Sequence, residues 1–248
     1  MFTALGLCFV LMQAPGGDVA VARSKEAVPL EVKLQARVAN YSLVADNFLD
    51  ALLRVASEYK IPMGIEWVRT PPAMRSVKLT WEVATVEEII RGVVRSCPGH
   101  EMKAEDGVLR IFAPRLIPAR QNFLKLRVHE FEVNDEVVEI AERRLVDIVN
   151  STVSPPKPQA KGKMGGGMGH SQGVEVGDPH FTLKLRDVTV EDVLDALVLA
   201  SDRGVWTVTF APTGKLTPSG FRQTASPAGT EPRAKPYWEL LRWGRNPY

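Results

Sequence analysis

The residue types that most often carry catalysis or bind metals are few in this sequence, and they are scattered. The four histidines, His100, His129, His170 and His180, include no pair four apart, the helical spacing that many zinc enzymes use. Two cysteines, Cys8 and Cys97, exclude a disulfide scaffold and a four-cysteine zinc site. Cys97 precedes Pro98-Gly99 at a helix end and reads as a small half-buried residue rather than a nucleophile. No Gly-x-Ser-x-Gly elbow, phosphate-binding loop or His-Glu-x-x-His motif occurs. The acidic pairs Glu87-Glu88 and Glu191-Asp192 resemble paired carboxylates, but each follows a threonine in a way that helix capping already explains. The chain therefore reads as non-enzymatic, with no catalytic residue, cofactor or metal expected, a divergent enzyme with no recognisable site being one alternative.

Two segments invite other chemistry. Ser154 to Pro179 holds four Pro and seven Gly, and includes Met164-Gly165-Gly166-Gly167-Met168-Gly169-His170. Met and His can ligate copper, but so many glycines carry a large ordering entropy, and the stretch reads as a flexible insert. Lys157, Lys161 and Lys163 make its first half basic, so a KH-like nucleic-acid binder is the alternative reading. KH domains, however, place Gly-x-x-Gly between two helices, whereas Gly162, Gly166 and Gly169 lie in a long loop before a strand. The second segment is the end of the tail 212–248. There Pro236 suits a first helical position and Gly244 a stop, around Tyr237, Trp238, Leu240, Leu241 and Trp243. This reads as a short aromatic helix that either packs on its own chain or anchors a partner, with Tyr237, Trp238, Leu241 and Trp243 as the partner-binding residues.

The elements behind these residues are laid out twice. Val77-Lys78-Leu79-Thr80-Trp81 alternates as a half-buried strand, and Thr85-Val86-Glu87-Glu88-Ile89-Ile90 opens a helix. Phe181-Thr182-Leu183-Lys184-Leu185 and Thr189-Val190-Glu191-Asp192-Val193-Leu194 repeat that design 104 residues later. In each copy Thr caps the helix, an acid three residues on reciprocates, and apolar residues recur at i, i+3, i+4, i+7 and i+8. In the first copy a helix carrying Phe48, Leu49, Leu52, Leu53, Ala56 and Tyr59 precedes the strand Ile61 to Val68, and a hairpin at Asp106-Gly107 closes the unit. In the second, the strand Leu124 to Val133 and a helix over Asp135 to Asn150 precede the insert, and the strand Val205 to Phe210 ends the unit. The expected class is α+β: two small modules, 30–114 and 124–211, each a short sheet with two helices packed on one face, joined near Pro114 and Pro118.

Residues 47–112 resemble the short N-terminal (STN) domain shared by secretins and TonB-dependent receptors. The matching segments are Phe48-Leu49-Asp50-Ala51-Leu52-Leu53, Ile61 to Trp67, Val77-Lys78-Leu79, Thr85 to Ile90 and Val108-Leu109-Arg110-Ile111. Residues 181–210 resemble the second half of such a module, so the domain is read as duplicated. The resemblance implies a cell-envelope module that docks other proteins, a secretin or outer-membrane receptor system being the class of partner. No receptor barrel or secretin domain follows in this sequence, so pore and receptor functions are not carried over.

Composition agrees with a modular globular chain. In 248 residues, 45% are hydrophobic and 24% charged, and no apolar run approaches the roughly 20 residues of a membrane-spanning helix. The net charge of +2 does not argue for nucleic acid. Leu5 to Met12 has the length of a signal-peptide apolar region, and Ala20-Val21-Ala22 offers a cleavage site before Arg23. Residues 1–22 are thus expected to be a leader, and the mature chain, with no transmembrane segment, to be periplasmic or secreted, a cytoplasmic location being the alternative. The function expected is a non-enzymatic adaptor that binds an envelope protein through a sheet edge or a groove between the modules.

Overall fold

A computed structural model describes residues 20–21, 28–117, 122–153, 179–201, 203–210 and 238–242. The chain opens with a two-residue strand, β1 (Ala20–Val21). The first half then comprises α1 (Leu30–Leu34), β2 (Arg37–Ala45), α2 (Phe48–Tyr59), β3 (Met63–Val68), β4 (Val77–Thr85), α3 (Val86–Arg95), β5 (Glu101–Glu105) and β6 (Val108–Phe112). After a 3-10 turn at Phe123–Lys125, the second half comprises β7 (Arg127–Glu136), α4 (Val138–Val153), β8 (Phe181–Thr189), α5 (Val190–Ala200), β9 (Arg203–Phe210) and β10 (Trp238–Arg242). β1 belongs with the second half, where it pairs with β8.

Local chemistry fixes the ends of the elements as their sequence predicts. The Thr85 hydroxyl accepts from the Glu88 N–H at 3.2 Å, and the Glu88 carboxylate accepts from the Thr85 N–H at 2.7 Å. Thr189 and Asp192 repeat the same box at 3.2 and 2.9 Å. Asn47 caps α2, its side-chain oxygen accepting from the Asp50 N–H at 2.9 Å. Asp106 and Gly107, both at positive φ, form the tight turn between β5 and β6.

The duplication extends to strand register. Shifting β2 by 90 residues and β4 by 104 carries the pairs Arg37↔Thr85, Tyr41↔Trp81 and Leu43↔Leu79 onto Arg127↔Thr189, Phe131↔Leu185 and Val133↔Leu183. The same shifts carry the hydrogen bond from the Val86 N–H to the Ala36 carbonyl onto that from Val190 to Leu126. Each half therefore owns an antiparallel ribbon, β2–β4 or β7–β8, built to one plan.

The halves are joined by far more than the segment 114–123. β3 pairs in parallel with β6 on one side and with β9 on the other, giving a five-stranded sheet in the order β10-β9-β3-β6-β5. β3 is buried at all six positions, because it lies between two layers. Met63, Ile65 and Trp67 enter the first-half core with α2 and α3, together with Leu109, Ile111 and Val205. On the opposite face, Val68, Trp206, Val208 and Phe210 enter the second-half core with α5. β5 and its counterpart β9 run in opposite directions within this sheet, so the second half is turned over relative to the first. Each helix pair packs on one face of a sheet, as expected; the two halves use opposite faces of a shared sheet. The ribbons β2–β4 and β7–β8 cover the outer sides of the helix layers.

The tail differs from expectation. Residues 238–242 form a strand, not a helix, pairing antiparallel with β9 from Trp238↔Val208 to Leu241↔Val205. An eight-residue helix has too few internal hydrogen bonds to stand alone, whereas the edge of β9 offers a ready ladder. The insert and the expected leader, apart from Ala20–Val21, lie outside the described residues.

Candidate interaction surface

The two ribbons share a backbone plan but present different faces to solvent. Their inward faces are alike: Tyr41, Leu43, Leu79 and Trp81 in the first, and Phe131, Val133, Leu183 and Leu185 in the second, pack on their helices. Trp81 seats its indole against α3 at Gly92, where an added Cβ would come within 2.7 Å of Cζ2. Tyr41 stacks at 6.0 Å from Trp81 and 5.9 Å from Tyr59, and its hydroxyl donates to Glu58 at 2.9 Å.

Outward, the second ribbon is charged. Glu132 pairs with Lys184 at 3.0 Å, Glu130 with Arg186 at 3.4 Å, and His129 Nδ1 lies 3.2 Å from Asp187. The positions equivalent to Glu132–Lys184 and His129–Asp187 in the first ribbon are Ser42–Thr80 and Ala39–Val83, and that of Glu130–Arg186 is Asn40–Glu82, which keeps one charge. That face also exposes Val44 (57%) and Val83 (67%), and between its strands runs a shallow groove lined by Asn40, Tyr41, Ser42, Thr80, Trp81 and Glu82. Asn40 takes a left-handed conformation (φ 53°) at this groove, a state its short polar side chain tolerates.

The edges differ as well. β8 pairs with β7 on one side and receives β1 on the other, at Ala20↔Lys184 and Val21↔Leu183. The equivalent positions on β4 are Thr80 and Leu79, and among the described residues no strand lies on that side of β4.

Among the described residues, side chains fill the junction between the halves. Arg110, from β6, crosses to α5 and meets Asp195 at 2.5 Å, Asp192 at 3.0 Å and Glu191 at 3.4 Å. Asp195 also accepts from the Trp206 Nε1–H at 2.6 Å, and Lys125 pairs with Glu191. The Trp206 indole lies directly on Gly64, which leaves no space for a Cβ there. Burial pushes the Asp195 carboxyl up to about 6 against the pull of Arg110. Burial also works against the Arg110 charge, but Asp195 and Glu191 outweigh it and raise its pKa. Glu66, raised by burial, accepts from the Ala113 N–H at 3.0 Å and from Asn122 at 2.7 Å. This cluster is a junction between halves, fully engaged by its own members.

The residues singled out by type are dispersed. Cys97 and His100 lie three apart at the end of α3, both buried, and burial pushes the thiol up to about 11. Among the described residues no three His, Cys, Asp or Glu side chains come together as a metal site would require. His129 and His180 are exposed, and His170 lies outside the described residues. Glu87, Glu88, Glu191 and Asp192 occupy first turns of helices. Of the aromatic tail, Trp238 and Leu241 lie in β10, and Tyr237 and Trp243 fall outside the described residues. No helix among the described residues is long and apolar enough to cross a membrane.

No family model, curated protein or solved structure matches the chain. The contrast between the ribbons was legible only by laying the two copies of each strand side by side, which needs the β2 boundary and the pairing register.

Proposed function

We propose that the chain is a non-enzymatic adaptor of the cell envelope, built from two STN-like modules, that docks another protein on its first-half ribbon. The observation that carries this reading is the unequal dressing of two otherwise equivalent surfaces. Ion pairs keep the β7–β8 face solvated, whereas the β2–β4 face carries Ala39, Ser42, Val44, Thr80 and Val83, with Lys78 and Glu82 beside them facing no charge across the strands. The order strand, helix, strand, strand, helix, hairpin over residues 37–112 supports the STN-like reading of the first half. The leader expected at residues 1–22, whose cleavage before Arg23 would also take β1 from β8, supports a periplasmic or secreted location, where a secretin or outer-membrane receptor system is the class of partner.

The test is site-specific photo-crosslinking in cells of the source organism, with the crosslinker in place of Val83 or, as the matched control, of Arg186. A discrete complex at Val83 and none at Arg186 is expected. Equal capture at both positions, or capture at neither, refutes the reading.

A further inference from the structure

We propose that the outer edge of β4 is a strand-addition site, which takes an extended, uncharged segment of the partner antiparallel to β4 and centred on Leu79–Thr80. The proposal rests on the adaptor reading above and adds the mode of docking and the chemistry of what docks.

Three observations converge on that edge. First, the duplicated fold already seats a strand there once. β1 lies antiparallel on β8 at Leu183–Lys184, and the register that relates the ribbons places the same seat on β4 at Leu79–Thr80. Second, β4 is nine residues long and, among the described residues, pairs only with β2. A free edge of that length presents a row of backbone donors and acceptors that an incoming strand can satisfy. Third, the side chains beside the seat set its preference. Thr80, with Ser42 behind it on β2, and Val83, with Ala39 behind it, offer small, neutral neighbours to an incoming side chain, between the flanking charges of Lys78 and Glu82. A strand bearing charges there would lose hydration without gaining a partner. The segment the chain uses on β8, Ala20-Val21, is uncharged and small, which matches that preference.

The other edge of the first half argues the same point by contrast. β5 closes the five-stranded sheet with Glu101, Lys103 and Glu105, and Lys103 and Glu105 pair at 2.8 Å. Charged side chains of this kind are the usual defence of an edge against unwanted pairing. β4 carries Lys78 near one end and Glu82 past the seat, and none at Leu79–Thr80.

The experiment uses the full chain and a fluorescein-labelled peptide of residues 19–22, Val-Ala-Val-Ala, as the probe. The chain is used uncleaved, with residues 1–22 in place, so that the seat on β8 is held by the tethered β1, whose high effective concentration excludes free peptide, and the probe reads β4. Saturable binding is expected, with amide-exchange protection appearing within 77–85. N-methylation of alternate peptide amides should weaken binding about tenfold or more, because it removes ladder donors and leaves the side chains in place. Val83→Glu, at an exposed position that does not endanger folding, should weaken it comparably. The proposal is overturned if the peptide does not bind, if protection falls on 181–189, or if N-methylation has no effect. It is also overturned if amide exchange on the free chain shows that the edge is already covered by residues outside those described. A complex captured at Val83 in cells together with failure of the peptide assay would sink strand addition and leave the adaptor reading standing. Absence of any captured complex would sink the adaptor reading itself.

Discussion

Replacing Arg110 with Met tests whether the junction between the halves is electrostatic in the way its geometry requires. The guanidinium is 11% exposed and faces Asp195 and Glu191, whose side chains are 6% and 4% exposed. Removing it leaves Asp195 with the Trp206 N–H and Glu191 with Lys125. Breaking one side of a buried ion pair of this kind costs about 3–5 kcal/mol. The pH dependence gives the sharper test. The Asp195 carboxyl, already raised to about 6 by burial, rises further once Arg110 no longer draws it down. A carboxyl whose folded pKa lies above its unfolded value destabilises the fold at high pH, and the penalty is relieved as the pH falls through the folded value. In the variant that relief begins at a higher pH than in the parent. Each tenfold change in the carboxyl's proton affinity is worth about 1.4 kcal/mol, so the difference in stability should shrink between pH 7.5 and pH 5, by at most about 2 kcal/mol. Urea unfolding followed by tryptophan fluorescence at the two pH values measures both quantities. A loss under about 1 kcal/mol at pH 7.5, or one that grows on acidification, would refute the reasoning.

Gly64→Ala places a Cβ in the space of the Trp206 indole and should lower stability by about 1–3 kcal/mol, with part recovered when Trp206 is also reduced to Phe; thermal melts decide it. Leu194→Ala, at a fully buried position of α5, should cost about 2–5 kcal/mol in denaturant unfolding. Thr85→Ala and Thr189→Ala should each cost about 1 kcal/mol, and a clearly unequal pair would mean that the two capping boxes are not equivalent in energy. Truncation at Gly214 removes β10 and its ladder with β9, and should lower the melting temperature and expose apolar surface to a hydrophobic dye.

What the sequence made legible were the features written in short range. Thr85 with Glu88, Thr189 with Asp192, and Asp106-Gly107 each specify a cap or a turn within four residues, and all are present in the structure. The α+β class and the repeat followed from those signals and from apolar periodicity. Long-range pairing was not legible. β3 and β9 are separated by more than a hundred residues, and nothing local distinguishes a strand that ends a module from one that bridges two. Met63 to Val68 are buried on both faces, which the sequence does not signal, since Glu66 within the run reads as a solvent-facing position. Glu66 is accommodated by Asn122 and the Ala113 backbone, partners that become visible only once the halves are together. The tail misled because Pro236 and Gly244 are sound helix punctuation, and the β9 edge that draws residues 238–242 into a strand cannot be seen from within the segment.

The way the halves meet explains why the candidate surface lies where it does. Pairing β3 with β9 in parallel turns the second half over, so each half covers the opposite face of one sheet with its helices and leaves its own ribbon outermost. Among the described residues, helices cover both faces of the five-stranded sheet, and Arg110 and Trp206 fill the junction. The two ribbons and the sheet's edges are the surfaces this arrangement turns outward. A duplicated fold begins with the same side chains on both ribbons, and solubility alone would leave both free to carry charge. Pairs such as Glu132–Lys184 show that the scaffold tolerates charge at these positions, so the neutral Ser42–Thr80 on the first ribbon is not imposed by the backbone. Exposing Val83 and Val44 beside a free nine-residue strand is an aggregation hazard for a surface that meets only water. A surface that spends its working life covered by an added strand carries no such hazard.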